Sequence, residues 1–297
     1  MSQAAAAMDA IHDERAVGLW ADAFRRMRRS KAAIIGGTIV AIFVLVAIFA
    51  PFIAPYDPTR GNLAESYLPP FTADHLFGTN VQGQDVFSRI VFGSRLTLGI
   101  AVLSVSIGVS VGAVLGALAG YFRGWVDAVI MRGVDIMLSI PGLLFAIAVV
   151  TWLGRGVVQI AIAIAIINIP IFARLLRGSL LSLREADYVI AARSVGVGAG
   201  ALLVQHMLPN AIGPLIVQAT LALATAVVDA AALGFLGLGP PDPRTPEWGT
   251  MLSDTYRYLN DAVYLAFFPG IAIVISVLGF NLLGDGMREA LDPKLRR

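Results

Sequence analysis

Six stretches of this chain contain no Asp, Glu, Lys or Arg: Ala32–Tyr56, Leu96–Phe122, Ile136–Gly154, Gly156–Ala173, Met207–Val228 and Ala262–Gly284, each 18 to 27 residues long. A helix rises about 1.5 Å per residue and the hydrocarbon core of a bilayer is about 30 Å thick, so roughly 20 apolar residues cross it. Charged residues make up 14% of the 297 positions, against about a quarter in soluble domains, and they crowd into the segments between the six stretches. This pattern excludes a soluble globular domain and a disordered chain. It predicts an all-α integral membrane protein with six transmembrane helices.

The loops between the stretches are unequal in charge. The N-terminal segment and every second loop after it, with the C-terminus, hold 16 of the 22 Lys and Arg residues, whereas the alternate loops hold five and Arg95 lies at a boundary. Lys and Arg accumulate on the cytoplasmic side of a membrane, so both termini are expected there. The first apolar run is 25 residues long, too long for the core of a cleaved signal peptide, and reads as a retained anchor. The chain divides into a cytoplasmic segment 1–31, a first helix 32–56, an outer segment 57–93, a five-helix unit 94–284 with a large cytoplasmic loop 174–210, and a cytoplasmic tail 285–297. With no cysteine in the sequence, disulfides, thiol catalysis and iron–sulfur ligation by this chain are excluded. Its three histidines, His12, His75 and His206, are too scattered to predict a metal site. Only two lysines, Lys31 and Lys294, occur, which argues against a nucleic-acid surface.

Gly108, Gly112, Gly116 and Gly120 recur every fourth residue in the second stretch. They line one helix face and let a neighbour approach closely. That neighbour is a helix of this chain or a second subunit.

The loop 174–210 carries the densest local signals. Ser182-Leu183-Arg184-Glu185 has the form of a capping box, in which Ser182 would accept the amide three residues on and Glu185 would reach back. Glu185 and Asp187 would then lie in the first turn, where the helix dipole favours negative charge. Gly196 and Gly198 are placed to end the helix. A second helical run, 199–208, leads to Pro209 at the start of the fifth span. Two readings of this short helix are open: an element that docks in a groove of another protein and transmits a rigid displacement, or an interfacial helix lying on the bilayer.

Ala191-Ala192, Gly196 four residues later, and His206-Met207-Leu208-Pro209-Asn210 after nine more have the spacing of the EAA loop, and here the sequence resembles the permease subunits of ABC importers. Ile190 stands where that motif has glutamate; peptide-type permeases share the departure and resemble Tyr188-Val189-x-Ala191-Ala192-Arg193, which leaves Glu185 or Asp187 as the acidic contact. The resemblance runs from about Phe24 to Arg297. It includes His75-Leu76-Phe77-Gly78-Thr79-Asn80 and Gly83-Gln84-Asp85 in the outer segment, and Met131-Arg132, Asp135, Ser139 and Pro141 in the third span. Pro246-Glu247-Trp248-Gly249-Thr250 in the second outer loop and Asn281-Leu282-Leu283-Gly284-Asp285-Gly286-Met287-Arg288 near the end match as well. The likeness is to the C-type subunits of the peptide/nickel family, dipeptide permeases above all.

The resemblance implies a type I ABC importer permease fold over 94–284 and a multi-pass location in the bacterial inner membrane. It implies partners: a second six-helix permease of B type, two cytoplasmic ATPase subunits and a periplasmic peptide-binding protein, around a chain embedded in lipid. It implies import of dipeptides or short peptides by alternating access, with nickel, haem or oligopeptide transport as alternatives. ATPase coupling would fall on Glu185, Asp187, Tyr188, Ala191, Ala192, Arg193, Gly196, His206, Leu208 and Pro209. No catalytic role and no cofactor is expected on this chain, because neither lysine stands in a Gly-x-x-x-x-Gly-Lys-Ser/Thr loop; ATP and Mg would be held by the partner ATPases.

Asp229 lies inside the fifth span, and an acid within a membrane is a functional candidate by default. It could meet a peptide's amino group, pair with an arginine, or sit at the water boundary. Asn168, beside Pro170 in the fourth span, suggests a kink and a place on the translocation pathway. Arg132 and Asp135 are spaced for an ion pair on one helix face. Trp20, Trp125, Trp152 and Trp248 fall near predicted boundaries, as an aromatic belt would. An ion-coupled secondary transporter remains as a rival class; it would be expected to show broken helices or acids in corresponding positions of two halves, and Asp229 stands alone. Nothing in the sequence has the pattern of an enzyme's nucleophile and base.

Overall fold

The computed structural model describes residues 24–72, 74–258 and 261–291. Regular structure among them is helical. Helix α1 (Lys31–Ile48) starts at Ser30, whose hydroxyl accepts the Ala33 amide, and a further turn, Ala50–Ile53, follows it. Helix α2 runs from Val86 to Phe122, 37 residues, roughly 56 Å, so it reaches well beyond a bilayer core and carries the outer segment on its projecting end. Helices α3 (Gly124–Ser139) and α4 (Gly142–Leu153) follow, then α5 (Val157–Arg184), the short α6 (Asp187–Ser194), α7 (Leu208–Leu233), α8 (Trp248–Thr255) and α9 (Tyr264–Leu291).

Five of the helical runs are long and apolar enough to cross a membrane, and the α3–α4 pair makes a sixth span if it is counted as one. That pair is bent by 95°. Counted as one span, the third is therefore broken, a feature the charge-free stretch did not indicate. Pro141 explains the break: it has no amide hydrogen to donate and its ring pushes the preceding residue out of the helical region, and Ile140 is accordingly extended (φ −92°, ψ 131°). Pro170, by contrast, sits inside α5 without ending it.

The glycine stripe of α2 faces α5. A methyl group on Gly108 would lie 2.8 Å from the Asn168 side chain, on Gly112 2.7 Å from the Ile169 carbonyl oxygen and the Phe172 side chain, and on Gly120 3.2 Å from Leu180. Close backbone approach of this kind is how helices associate in lipid, where van der Waals packing replaces the hydrophobic effect. The neighbour of the stripe is thus a helix of this chain. A second glycine crossing joins α1 to α9 through Gly36, Gly279 and Gly286. Helix α7 packs against α2, α5 and α9, which places α2, α5 and α7 at the centre and α1 on the rim.

The two outer segments fold onto each other. Asp85 caps α2 by accepting the Ser88 amide at 2.7 Å, and its other oxygen is 2.9 Å from His75 Nδ1. Arg89 is 2% exposed and its guanidinium donates to the carbonyls of Pro58 (3.1 Å), Arg244 (3.1 Å) and Pro243 (3.3 Å) and to Gln84 Oε1 (2.6 Å). Those hydrogen bonds tie residues 58 and 243–244 to α2. Glu247 is fully buried and caps α8, accepting the Gly249 and Thr250 amides at 2.9 and 2.8 Å. Burial lifts its carboxyl from 4.5 to about 7, against those two amide hydrogen bonds, which favour the charged form. Trp248 is also fully buried, donating to the Ile90 carbonyl at 3.0 Å over Gly93. It is therefore a core residue and not a belt residue, whereas Trp125 and Trp152 are 77% and 84% exposed. Trp20 and His12 lie outside the described residues.

Candidate functional site

The loop between α5 and α7 projects from one end of the bundle. Its capping box does not form. Ser182 lies in the last turn of α5, Glu185 is that helix's C-cap, and α6 begins after Ala186, which makes no side-chain cap. The apolar face Phe172, Leu176, Leu180 and Leu183 keeps helical period through the serine and packs on the bundle, so burial prolongs α5 past the local signature. Asp187 does stand in the first turn of α6 and Arg193 in the last, both favourable against the dipole.

The C-terminus of α6 behaves as its glycine predicts. Gly196 has φ +87°, the Val197 amide donates to the Ala192 carbonyl and the Gly196 amide to the Arg193 carbonyl, both at 3.1 Å. This is a Schellman motif with Gly196 at C′, and its side-chain contact is present: Val197 and Ala192 pack on the same apolar cluster. Gly198 has φ −63° and opens the next helical turn; it does not end α6. The run 199–208 is not a separate helix either. It passes through a π-helical stretch, Leu202–Met207, straight into α7 with Pro209 in the first turn. The wide turn sits where Pro209 cannot donate, and Asn210 Nδ2 meets the His206 carbonyl at 2.7 Å.

One residue anchors α6. Val189 is fully buried among Leu176 and Leu180 of α5, Leu202 and Met207 of the π-helical stretch, and Ala211 and Leu215 of α7. On the other side Ile190 (46%), Ala191, Arg193 and Val195 (82%) are exposed. Tyr188 is 42% exposed, with its hydroxyl 3.5 Å from the His206 carbonyl; burial of its ring lifts the phenol above its ordinary value, and a hydrogen bond with Asn210 opposes this. Ala192, His206 and Leu208 are half-buried supports, and Glu185, Asp187, Gly196 and Pro209 are exposed. The residues singled out thus cluster on α6 and on the run that supports it, with Ile190, Ala191, Arg193 and Val195 turned outward and Val189 buried beneath them. The sequence reading named Val189 only within the Tyr188-Val189-x-Ala191-Ala192-Arg193 pattern and gave it no anchoring role; its β-branched side chain between Tyr188 and Ile190 was the available signal.

The two membrane residues separate. Asn168 is 4% exposed, lies against Gly108, and donates to the Ile164 carbonyl at 2.9 Å, which places it in the α2–α5 seam. Asp229 is half-buried on α7 and has no hydrogen-bond or ion-pair partner among the described residues. Arg132 does not pair with Asp135; the Asp135 partner is Arg174 of α5 at 2.5 Å, and Asp127 similarly takes Arg177. These bridges fix α3 to the end of α5. Among the described residues no three His, Asp or Glu side chains converge as metal ligands.

Comparison with known proteins gives two family matches. Residues 112–297 match the binding-protein-dependent transport system inner membrane component, and residues 18–70 match the N-terminal transmembrane domain of oligopeptide transport permease C. The chain is 46% identical over 281 residues to the dipeptide transport system permease protein DppC of Alkalihalophilus pseudofirmus, covering 95% of this chain and 92% of that one. It is 42% identical over 290 residues to the glutathione transport system permease protein GsiD of Escherichia coli, covering 98% and 95%. Among solved structures, an inward-facing MetNI methionine ABC transporter chain superposes with TM-score 0.59 at 20% identity, over 69% of this chain and 97% of that chain. An amino acid ABC transporter gives TM-score 0.55 at 16% identity, over 68% and 94%.

Proposed function

Because the chain belongs to the family of binding-protein-dependent transport system inner membrane components, we infer that this multi-pass inner-membrane permease is one of two membrane subunits of an ATP-driven importer of dipeptides or short peptides. Its relatives named for dipeptide and glutathione transport support a short peptide over nickel, haem or longer peptides. Energy comes from two cytoplasmic ATPases that hold ATP and Mg; this chain's sequence contains no phosphate-binding loop. A second six-helix permease completes the pathway, and a periplasmic peptide-binding protein delivers the substrate to the outer segments. The split of Lys and Arg between loops supports cytoplasmic termini.

The observation that carries the mechanism is the build of α6: exposed Ile190, Ala191 and Val195 outward, Val189 inward, and a stiff Schellman stop at Gly196. Such a helix fits a groove on a neighbouring ATPase, with Tyr188, Ala191 and Arg193 at the contact, Glu185 or Asp187 as the acidic edge, and Ala192, His206, Leu208 and Pro209 as its support. Movement of the groove then displaces α5 and α7 together and switches the pathway between outward and inward access. The test is reconstitution of the complete assembly in liposomes with peptide-loaded binding protein, plus a cross-link from a cysteine at Ala191 to the ATPase. ATP-dependent uptake and a cross-link are expected. Uptake that survives ATP depletion at a constant ion gradient would instead favour ion-coupled transport.

A further inference from the structure

We propose that Asp229 is the point on this chain's transmembrane wall that receives the free α-ammonium group of the travelling peptide. The proposal rests on the reading of the chain as a peptide permease and adds to it a specificity-determining residue.

Three observations lead there. First, Asp229 is the only charged side chain between Leu208 and Leu238. The helix continues past Leu233 to Leu236, where Gly237 (φ +78°) interrupts it, so Asp229 lies about 10 Å inside that end. Second, no buried side-chain oxygen or nitrogen among the described residues lacks a partner, yet the Asp229 carboxylate has none. Its oxygens therefore keep some accessible surface. Facing hydrocarbon there would cost about 2.5–3.5 kcal/mol, so this surface faces water or a cation. Third, Asp229 belongs to a seam. Gln218, Leu221, Thr225, Val228 and Asp229 follow at helical spacing on one face of α7; Thr225 and Val228 are exposed and the others half-buried, whereas Ala222, Ala224, Ala226, Val227 and Ala230 are packed inside. The seam runs down into a cavity of about 370 Å³ walled by Pro214, Val217, Gln218, Leu221 and Arg288. Arg288 has no ion-pair partner among the described residues either.

Asp229 thus lies toward the outer end of this face, Thr225 and Gln218 follow along it, and Arg288 of α9 lines the cavity at the end that bears α6. That polarity complements a zwitterion whose carboxylate leads inward while its ammonium stays at Asp229. The ammonium–carboxylate contact is charge-assisted and short-ranged, and dipeptides and glutathione share a free α-ammonium group. Gln218 lies eleven residues from Asp229, about 16 Å along the helix, and a dipeptide spans at most about 7 Å. Asp229 and Arg288 therefore act in succession on one substrate and do not grip it together.

The test uses the complete assembly in liposomes with saturating dipeptide-loaded binding protein, measuring peptide accumulated per ATP hydrolysed. Asp229→Asn is expected to keep subunit assembly and binding-protein-stimulated ATP hydrolysis while lowering peptide per ATP about tenfold or more, and Asp229→Glu is expected to restore most of it. An unchanged ratio in Asp229→Asn overturns the proposal. So does loss of assembly in Asp229→Asn that Asp229→Glu repairs, because the carboxylate's occupant is then a neighbouring subunit's cation. A wild-type assembly that moves no peptide refutes the permease reading itself, and is seen before any variant is compared.

Discussion

Adding one methyl group at Gly112 tests the packing on which the lever depends. On α2 a Cβ at Gly112 would stand 2.7 Å from both the Ile169 carbonyl oxygen and the Phe172 Cβ, and 3.1 Å from the Ala173 amide. Carbon atoms pack favourably at about 3.5–4.0 Å, so α5 must retreat by about 0.8 Å or more, and most of the obstacle is backbone that cannot rotate away. Overpacking of this kind costs about 1–3 kcal/mol. Alanine also gains about 1 kcal/mol of helix propensity over glycine, which would hide part of the loss. Gly99 supplies the control: it lies on the same helix, it is exposed, and a methyl there meets nothing within 4 Å. Both variants share the propensity gain, so the difference between Gly112→Ala and Gly99→Ala isolates the packing contribution. It should be about 1–3 kcal/mol against Gly112→Ala, measured by equilibrium unfolding in mixed micelles with tryptophan fluorescence as the readout. Equal stability of the two variants, or a more stable Gly112→Ala, would refute the account of the α2–α5 seam.

Gly196→Ala should leave membrane insertion intact and reduce binding-protein-stimulated ATP hydrolysis, because a Cβ at φ +87° costs about 1 kcal/mol and loosens the end of α6; Gly200→Ala, with open space around it, should leave coupling unchanged. Val189→Ala removes the buried stud at a cost of about 2 kcal/mol and should let ATP hydrolysis proceed with little transport, seen as a fall in peptide moved per ATP. Glu247 binds its proton more tightly folded than unfolded, so it favours the folded state most at low pH, and that contribution is lost as pH rises from about 4.5 to about 7. The melting temperature of Glu247→Gln should accordingly fall less than that of the unsubstituted protein between pH 5 and 8, and parallel curves would contradict the assignment.

The spans were legible in the sequence because a charge inside lipid costs several kcal/mol, a penalty that acts on each residue alone and leaves a mark on composition. The glycine stripe was legible as a face for the same local reason, though which helix it met was not, since α5 lies about 60 residues further along. Ser182 shows where local signals fail. Its capping box is correct in letters, but Leu180 and Leu183 bury themselves on the bundle, and apolar burial over two turns outweighs a cap worth about 1 kcal/mol. The break at Pro141 was hidden because charge counting does not see backbone chemistry. Arg89 was hidden for the opposite reason: the carbonyls of Pro58, Pro243 and Arg244 that enclose it come from two loops far apart in the chain, so nothing near Arg89 announces that it is buried. In the α5–α7 loop the split is the same. Gly196 stated its own conformation, whereas the role of Val189 depends on α5, the π-helical stretch and α7 meeting around it.

That meeting decides how a displacement of α6 must travel. Two residues, Glu185 and Ala186, separate α6 from α5, and on the other side a continuous helical run, 199–238, enters the membrane. Neither connection is a long flexible loop. With Val189 buried in residues of both α5 and α7, tilting α6 alone would expose that cluster, which costs more than moving the three elements as a body. The same α5 is clamped to α2 by the glycine seam and to α3 by the Asp127–Arg177 and Asp135–Arg174 pairs. A push on the outer face of α6 is therefore delivered to α5, α2 and α3 on one side and to α7, with Asp229 on its exposed seam, on the other. The compliant places lie elsewhere, at the Pro141 break and at Gly237, whose φ of +78° interrupts the outer end of the α7 run. Bending at those two points, with the rest rigid, is the motion this packing permits at least cost.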